Sequence, residues 1–144
     1  MIVLGCDHGG FALKEFIKAH LASRGLSCVD EGAFSGESVD YAPIAEKVAR
    51  KVASGEAQPG LLFCGTGIGM CMAANKIHGI RAAVCSDEFS AKFTRLHNDA
   101  NILCLGGRVL SNQQALALVE IFLATEFEGG RHQRRIDQIA ALEE

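Results

Sequence analysis

Short apolar runs alternate with longer amphipathic segments along almost the whole chain. The apolar runs are MIVLG (1–5), LSCVD (26–30), GLLFC (60–64), IRAAVC (80–85) and NILCLGG (101–107). Strands this apolar are buried on both faces, and a helical segment after each one favours parallel pairing with helices on both sides. The alternation therefore predicts a single α/β domain over 1–144, a three-layer sandwich around a five-stranded parallel, Rossmann-like sheet.

The segments between the runs carry helical periodicity and recognisable ends. Two apolar stripes at helical spacing are Leu13, Phe16, Ile17 and Leu21, and Ile44, Ala45, Val48 and Val52. Gly25 is expected to end the first helix, and Asp40 is expected to cap the second, which ends at Ser54. The charged tail GGRHQRRIDQIAALEE is predicted to form a protruding C-terminal helix.

The overall charge and the cysteines narrow the class of protein. The net charge is −3, which gives no broad basic surface for nucleic acid, and no apolar stretch approaches the length of a membrane span. Met1 leads directly into IVLG, so no export signal is expected. The six cysteines are predicted to be mostly buried free thiols in a reducing cytoplasm, and without CxxC spacing no metal site is expected.

Candidate ligand-binding residues follow three of the predicted strands. Ligands of parallel sheets bind beyond the carboxyl ends of the strands. Asp7 and His8 follow the first strand, Arg108 follows the fifth, and Cys64 ends the third. After Cys64 comes a turn of Gly65, Thr66, Gly67, Ile68 and Gly69. Its N–H groups suit a phosphate or an oxyanion, although a ligand-free turn fits equally. Cys64 could be a nucleophile, a general base or a small buried side chain.

A second group of candidates lies further along the chain. His97 and Asn98 end a predicted helix, and Arg131 and Arg135 are four residues apart on one face of the tail helix. Paired guanidinium groups suit a phosphate, although a solvated charged face is the commoner explanation. Together with Cys64 and its turn, these residues predict a site for proton transfer on a small phosphorylated polyhydroxy compound.

Two other functions remain open on the residues alone. Asp30 after the second strand could bind the ribose of a nucleotide, although Met70 stands where the dinucleotide fingerprint needs glycine. A thiol redox role would need a second cysteine beside Cys64, and Cys71 is the nearest in sequence but is more simply a core residue.

Several motifs together resemble one family. GCDHGG, CGTGIGM, AANK, GIRAAVC, HNDANIL and EGGRHQRR occur in the order and spacing of ribose-5-phosphate isomerase type B, whose family also holds the galactose-6-phosphate isomerase subunits. The resemblance runs essentially end to end, with one departure at DYAPIA, where the family more often has proline directly after Asp40-Tyr41. It implies interconversion of D-ribose 5-phosphate and D-ribulose 5-phosphate in pentose phosphate metabolism, without metal or organic cofactor. A six-carbon sugar phosphate is the alternative substrate.

The resemblance also implies a role for each candidate residue. Cys64 matches the base, Thr66 is placed to move a proton between O1 and O2, and His97 matches the residue that opens the furanose ring with Asp7 as partner. Substrate contacts are implied for Asp7, His8, Gly65, Thr66, Gly67, Ile68, Gly69, Asn98, Arg108, Arg131 and Arg135. The arginines would hold chiefly the phosphate.

The family further implies a homodimer or a dimer of dimers whose sites are built from two chains. By analogy, His97 and the tail arginines would come from the neighbour of the chain that supplies Cys64. The C-terminal helix would then reach the partner subunit.

Overall fold

Strands and helices alternate as the sequence predicts. A computed structural model describes residues 1–143; Glu144, the last residue of the predicted domain, lies outside the described residues. The elements are β1 Ile2–Cys6, α1 Phe11–Ser23, β2 Cys28–Asp30, α2 Tyr41–Ala53, β3 Gly60–Cys64, α3 Ile68–Ala74, β4 Ala82–Val84, α4 Glu88–Leu96, β5 Ile102–Gly106, α5 Asn112–Ala124 and α6 Arg131–Ala140.

The predicted five-stranded parallel sheet is confirmed, with the strand order β2-β1-β3-β5-β4. The chain passes from β3 to the edge strand β4 and then returns to insert β5 between them. Strands β1, β3 and β5 are buried along their whole length. The three fully buried strands therefore lie side by side at the centre, and their carboxyl ends meet there.

Helices cover both faces of the sheet, so the three-layer prediction is also confirmed. Helices α1 and α5 enclose one apolar core, and α2 and α3 enclose the other. From the first stripe Leu13, Ile17 and Leu21 are buried. No helix within residues 1–143 combines the length and apolar character needed to span a bilayer.

Lys14 is an unexpected member of the first core. Its side chain is fully buried, and Nζ donates to Asp30 Oδ1 at 2.9 Å and to the Ala33 carbonyl at 2.6 Å. Lys18 Nζ donates to the other carboxylate oxygen of Asp30 at 2.8 Å. Burial acts to raise the pKa of Asp30, but the hydrogen bonds from Lys18 and Lys14 outweigh it and the pKa is lowered. A charged pair therefore ties α1 to the loop after β2.

Several element boundaries differ from the predictions. Strand β4 begins at Ala82 rather than residue 80, since Arg81 N–H donates to the Asn101 side chain at 2.8 Å and only the Arg81 carbonyl bonds to the neighbouring backbone, at Asn101 N–H. Asp40 occupies the N-cap of α2 as predicted, but its side chain makes no capping hydrogen bond. Gly25 follows α1 at φ 75°, which confirms the predicted end of that helix.

Candidate active site

The loops after β1, β3 and β5 converge at the carboxyl edge of the sheet. Gly107 N–H donates to the Cys64 carbonyl at 2.8 Å, and Arg108 N–H donates to the Gly65 carbonyl at 2.9 Å. Asp7 N–H donates to the carbonyl of Phe63 at 3.1 Å, one residue before Cys64. These backbone bonds bring together the candidates that follow three different strands.

The three loops approach too closely for side chains. A Cβ on Gly107 would lie 2.5 Å from the Gly9 carbonyl oxygen, and one on Gly10 would lie 2.3 Å from the Phe63 carbonyl carbon. Both distances are below any normal contact with backbone atoms, so only glycine fits at either position. The close approach fixes the loops around Cys64.

Cys64 is held in a defined position at the end of β3. Its side chain is only 4% exposed, and Gly67 N–H donates to Sγ at 3.1 Å. Gly67 reaches that position with φ 83°, a left-handed conformation that favours glycine. An N–H donor and the adjacent start of α3 are the surroundings that stabilise a thiolate. Sγ is therefore placed to act as a base or a nucleophile.

Thr66 and Ile68 lie on the exposed side of the same turn. Ile68 N–H donates to Thr66 Oγ1 at 3.2 Å, which fixes the rotamer of this exposed hydroxyl. Tyr41 covers the next residue, since a Cβ on Gly69 would lie 2.6 Å from the Tyr41 ring. No contact was predicted for Tyr41 from the sequence, and its ring lies against the glycine turn in the structure.

Asp7, His8 and Arg108 surround the turn. Asp7 is buried, and its Oδ1 accepts hydrogen bonds from Gly9 N–H at 2.8 Å and Gly10 N–H at 3.2 Å. His8 is exposed, and its Nδ1 accepts from Val39 N–H at 3.3 Å. The neutral ring of His8 then carries its proton on Nε2 and can donate a hydrogen bond.

Arg108 places its guanidinium beside the turn. The guanidinium Nη1 would be 3.2 Å from a Cβ on Gly65, so it lies directly over that residue. The carboxyl edge thus combines a buried thiol, N–H donors, a carboxylate, a histidine and one positive charge.

His97 and Asn98 lie at the opposite, amino edge of the sheet. Helix α4 starts near the carboxyl end of β4 and runs back, so that its C-cap His97 precedes the start of β5. Cys64 pairs in register with Gly106 at the far end of β5. At roughly 3.3 Å per residue, Ile102 and Gly106 are about 13 Å apart along the strand. One chain therefore does not bring His97 together with Cys64.

His97, Glu128 and His132 form a compact group that we call the amino-edge cluster. The two imidazole rings stack with centroids 4.0 Å apart and planes 12° apart. Glu128 Oε2 lies 3.9 Å from His97 Nε2, and Glu128 Oε1 lies 3.8 Å from His132 Nε2. Glu128 N–H donates to the Leu96 carbonyl at 3.0 Å, which anchors this segment beside the end of α4.

His132 is the buried member of the cluster. It is 4% exposed, and its Nε2 has no hydrogen-bond partner within residues 1–143. Burial lowers the pKa of His132, and the positive charges of His97 and Arg131 act in the same direction. Arg131 and Arg135 are exposed on α6, as their spacing predicts. The second group of candidates therefore assembles around His132.

Sequence reasoning missed Glu128 and the stacking of His132 on His97. Glu128 lies four residues before His132, but a pair of glycines separates them, so helical spacing does not apply. His97 and His132 are far apart in sequence and meet only because α6 packs beside the end of α4. The one available signal was the position of His132 among the tail arginines.

The remaining thiols differ in their surroundings. All six cysteines are free, and Cys71 is half-buried rather than fully in the core. A hydrogen bond with Cys104 lowers the pKa of Cys71 to about 7, against the opposing effect of burial. Burial, with Asp87 nearby, raises the pKa of Cys85 to about 11. Cys71 is therefore the matched thiol against which a special role of Cys64 can be tested.

The alternative of a nucleotide site at Asp30 is not supported. Both carboxylate oxygens of Asp30 accept hydrogen bonds from lysines, at 2.9 Å from Lys14 and 2.8 Å from Lys18. A ribose hydroxyl would have to compete with these charged donors. Asp30 has a structural task instead.

The fold and the carboxyl-edge site define an α/β enzyme with a cysteine and N–H donors arranged for chemistry on a small anionic molecule. The chain belongs to the ribose/galactose isomerase family, whose model matches residues 2–139. The resemblance noted in the sequence is thereby confirmed.

Similar proteins cover nearly the whole chain. Ribose-5-phosphate isomerase B of Escherichia coli is 49% identical over 143 residues, which are 99% of this chain and 96% of that protein. The structure of Clostridium thermocellum ribose-5-phosphate isomerase B has a TM-score of 0.97 at 48% identity and covers 98% of this chain and 95% of that one. The Mycoplasma genitalium enzyme, solved with ribulose-5-phosphate bound, has a TM-score of 0.94 at 42% identity, covering 98% and 94%.

Proposed function

We propose that this chain is a ribose-5-phosphate isomerase that interconverts D-ribose 5-phosphate and D-ribulose 5-phosphate. The observation that carries the proposal is the Gly67 N–H donor 3.1 Å from the buried Cys64 sulfur, at an edge where three loops converge. The relatives named above support the substrate, since two are ribose-5-phosphate isomerases B and the third was solved with ribulose-5-phosphate.

Proton transfer in the proposed reaction is centred on Cys64. As a thiolate, Sγ removes the proton from C2 of the open-chain aldose and returns it to C1 of the enediolate. The first N–H groups of α3 have no partner inside the helix and can stabilise the negative oxygen that forms. Thr66 Oγ1 then passes the remaining proton from O2 to O1. No step requires a metal or organic cofactor.

Substrate binding divides between the two edges of the sheet. His8 donates from Nε2 to substrate hydroxyls, Asp7 contacts the sugar beside Cys64, and Arg108 contributes positive charge at the carboxyl edge. Arg131 and Arg135 bind the phosphate, since guanidinium groups suit its geometry. Their place beside the amino-edge cluster means that they act on a substrate held at another chain's Cys64.

Ring opening is assigned to His97 with Asp7. The furanose ring has to open before C2 can lose its proton, and an imidazole can give and accept the proton that this requires. Asn98, the exposed neighbour of His97, contributes a further substrate contact. Since His97 lies at the amino edge, the complete site needs His97 from one chain and Cys64 from another.

The proposed assembly is therefore a homodimer, or a dimer of dimers, with two-chain sites. Isologous pairing would place each amino-edge cluster against the partner's carboxyl edge and would create two identical sites. The exposed apolar side chains Ile68 and Val84, 49% and 40% accessible, lie beside the glycine turn and would be covered in such a dimer. The free thiols support a reducing, cytoplasmic setting.

Replacement of Cys64 by alanine tests the proposal directly. Loss of the base should reduce kcat/KM on ribose 5-phosphate by about 1,000-fold or more, while ribulose 5-phosphate still binds. Cys71→Ala is the matched control and should retain activity, because Cys71 lies within α3 and its Sγ is directed to the Ala82 carbonyl at 3.4 Å. Near wild-type turnover by Cys64→Ala would refute the assignment of the base.

Comparative rates then test the substrate. The wild-type protein should isomerise ribose 5-phosphate faster than allose 6-phosphate or galactose 6-phosphate. Faster turnover of either six-carbon substrate would be consistent with the proposed isomerisation but would contradict ribose 5-phosphate as the preferred substrate.

A further inference from the structure

The amino-edge cluster has coordinating groups that its hydrogen bonds leave unused. His132 Nε2 is buried and has no partner within residues 1–143, and a buried nitrogen in that state normally costs stability. It lies 3.8 Å from Glu128 Oε1, beyond hydrogen-bond distance. His97 Nε2 is likewise 3.9 Å from Glu128 Oε2. Three potential ligands thus surround a common point without bonding to one another.

The spacing of these atoms approaches that of a metal site. One ligand atom from each of His97, Glu128 and His132 lies within 4.8 Å of the others. Around a tetrahedral zinc with bonds of about 2.1 Å, ligand atoms are roughly 3.4 Å apart. The cluster is therefore slightly wider than an occupied site, and modest side-chain movements would close it.

We propose that His97, Glu128 and His132 bind a divalent transition-metal ion of the zinc type, with water at the fourth position. Two imidazoles and a carboxylate match the three-protein-ligand sets of zinc sites that keep an open position. The nitrogen ligands exclude a calcium or magnesium site, since those ions take oxygen ligands. The ion would supply the buried His132 Nε2 with the partner that it lacks.

Two features of the cluster set the strength of binding. The rings are nearly parallel, so they must open for both lone pairs to reach one ion. His97, with 36% of its side chain accessible, is the ring that can turn. Arg131 and Arg135 lie close to His132 and repel a cation. Binding is therefore reversible and weaker than in a structural zinc site.

The functional consequence is inhibition, and this part rests on the proposed function. A metal ion on His97 would occupy the imidazole that is assigned to ring opening and would stand where substrate enters from the partner. Zinc should then inhibit the isomerase, and a chelator should restore activity. Metal binding itself is measured without substrate, so it stands or fails separately from the isomerase assignment.

Titration of the metal-free wild-type protein with Zn²⁺ by calorimetry is the primary test. We expect one ion per chain with a Kd below about 100 μM. Glu128→Gln removes one ligand at a half-exposed position and should weaken binding at least about 10-fold, which corresponds to one lost metal–ligand interaction. Glu120→Gln is the matched control, because Glu120 Oε1 lies 3.0 Å from His20 in an exposed pair without a second histidine. It should bind Zn²⁺ as the wild type does.

Cobalt spectroscopy identifies the ligands. Co²⁺ bound to the cluster should give visible d–d bands without the intense near-ultraviolet thiolate charge-transfer band, and Glu128→Gln should lose those bands. A thiolate band, equal binding by Glu128→Gln, or no saturation by about 100 μM Zn²⁺ would each overturn the proposal.

Discussion

The two edges of the sheet differ in how completely their polar groups are satisfied. At the carboxyl edge, Cys64 Sγ and the Asp7 carboxylate both accept backbone hydrogen bonds, and the loops interlock through glycines. At the amino edge, His132 Nε2 has no partner within residues 1–143, and Arg131 and Arg135 are exposed. The carboxyl edge is preorganised by its own chain, whereas the amino edge still has groups to satisfy.

This difference indicates that the edges have different kinds of task. Proton transfer needs a base and an oxyanion donor in fixed relative positions, and backbone hydrogen bonds provide that within one chain. The proposed phosphate binding and ring opening need less exact positions, which substrate and, in the proposed dimer, a second chain would complete. The first of the following experiments combines variants of both edges, the next two disrupt one edge each, and the last alters an ion pair outside the proposed site.

Mixing two inactive variants should give the largest effect. Cys64→Ala and His97→Ala should each be nearly inactive alone, because one lacks the base and the other the ring-opening group. In a one-to-one mixture exchanged at random, half of the dimers are mixed, and each has one intact site. Recovered activity should approach about a quarter of the wild-type value.

The mixture is assayed after co-refolding, and native mass spectrometry of chains that carry different tags verifies that mixed dimers have formed. Failure to recover activity despite proven exchange would show that both residues act within one chain. That result would contradict the proposed division between the two edges.

Disruption of the carboxyl edge alone should give the next largest effect. Gly67→Ala forces a side chain into φ 83° with its Cβ about 3.0 Å from the Leu105 backbone, so the N–H should move away from Cys64. We expect kcat/KM to fall about 100-fold, because the thiolate loses its N–H donor and the α3 N–H groups that stabilise the oxyanion are displaced with the turn.

Gly79→Ala separates this effect from general backbone strain. Gly79 has φ 88°, and its Cβ would lie no closer than 3.8 Å to another residue, far from the glycine turn. Both variants place a side chain at positive φ and should lower the melting temperature, Gly67→Ala by more because its Cβ also meets Leu105, but only Gly67→Ala should lose activity. Equal activity of Gly67→Ala and Gly79→Ala would contradict a catalytic role of the glycine turn.

Removal of a tail arginine at the amino edge should mainly weaken binding. Arg135→Ala removes a charged phosphate contact, so KM should rise about 10-fold with little change in kcat. Arg134→Ala, the exposed neighbour at a different angle around α6, is the control and should leave KM unchanged. Steady-state kinetics of the two variants make the comparison, and equal KM values would contradict the assignment.

Asp30→Asn should have the smallest effect on activity, a change within about twofold. The substitution weakens the hydrogen bonds from Lys14 and Lys18, so its main effect is to lower the free energy of unfolding. The lysine hydrogen bonds lower the pKa of Asp30 in the fold, so its stabilising contribution is present above the unfolded-state pKa near 4. This contribution is lost as the pH falls through the lower folded-state value.

Urea unfolding at pH 7 and pH 3 tests this sign. Asp30→Asn should be less stable than wild type at pH 7 and should lose less stability on acidification. Glu46→Gln, which alters an exposed pair with Arg50, should follow the wild-type curve. If the free energy of unfolding of Asp30→Asn fell with pH as steeply as that of the wild type, the stabilising role of the lysine hydrogen bonds to Asp30 would be contradicted.

The sequence predicts the fold well where apolar pattern alone decides the outcome. Strands β1, β3 and β5 are continuous apolar runs, and their burial on both faces follows from that. The strand order could not be predicted in this way, because the insertion of β5 between β3 and β4 depends on tertiary packing. The burial of Lys14 was also unpredictable, since it depends on an ion pair with Asp30 of the next element, β2.

The candidate site was predictable only in its local part. Cys64 and its glycines are adjacent in sequence, and the strand-end rule places Asp7 and Arg108 near them. The stack of His132 on His97 and the approach of Glu128 depend on how α6 packs, which no local pattern encodes. The sequence drew attention to His97 and to the arginines around His132, but it did not predict how the two histidines are arranged in space.

The close approach of the three loops also limits how this protein can evolve. Gly10 and Gly107 face backbone atoms at distances that no side chain tolerates, so substitutions there should disrupt the loops rather than alter specificity. Under the proposed function, substitutions that adapt the protein to a longer or shorter substrate are expected at positions around the glycine turn such as His8 or Tyr41. Steric constraint therefore applies to the centre of the proposed site and not to its periphery.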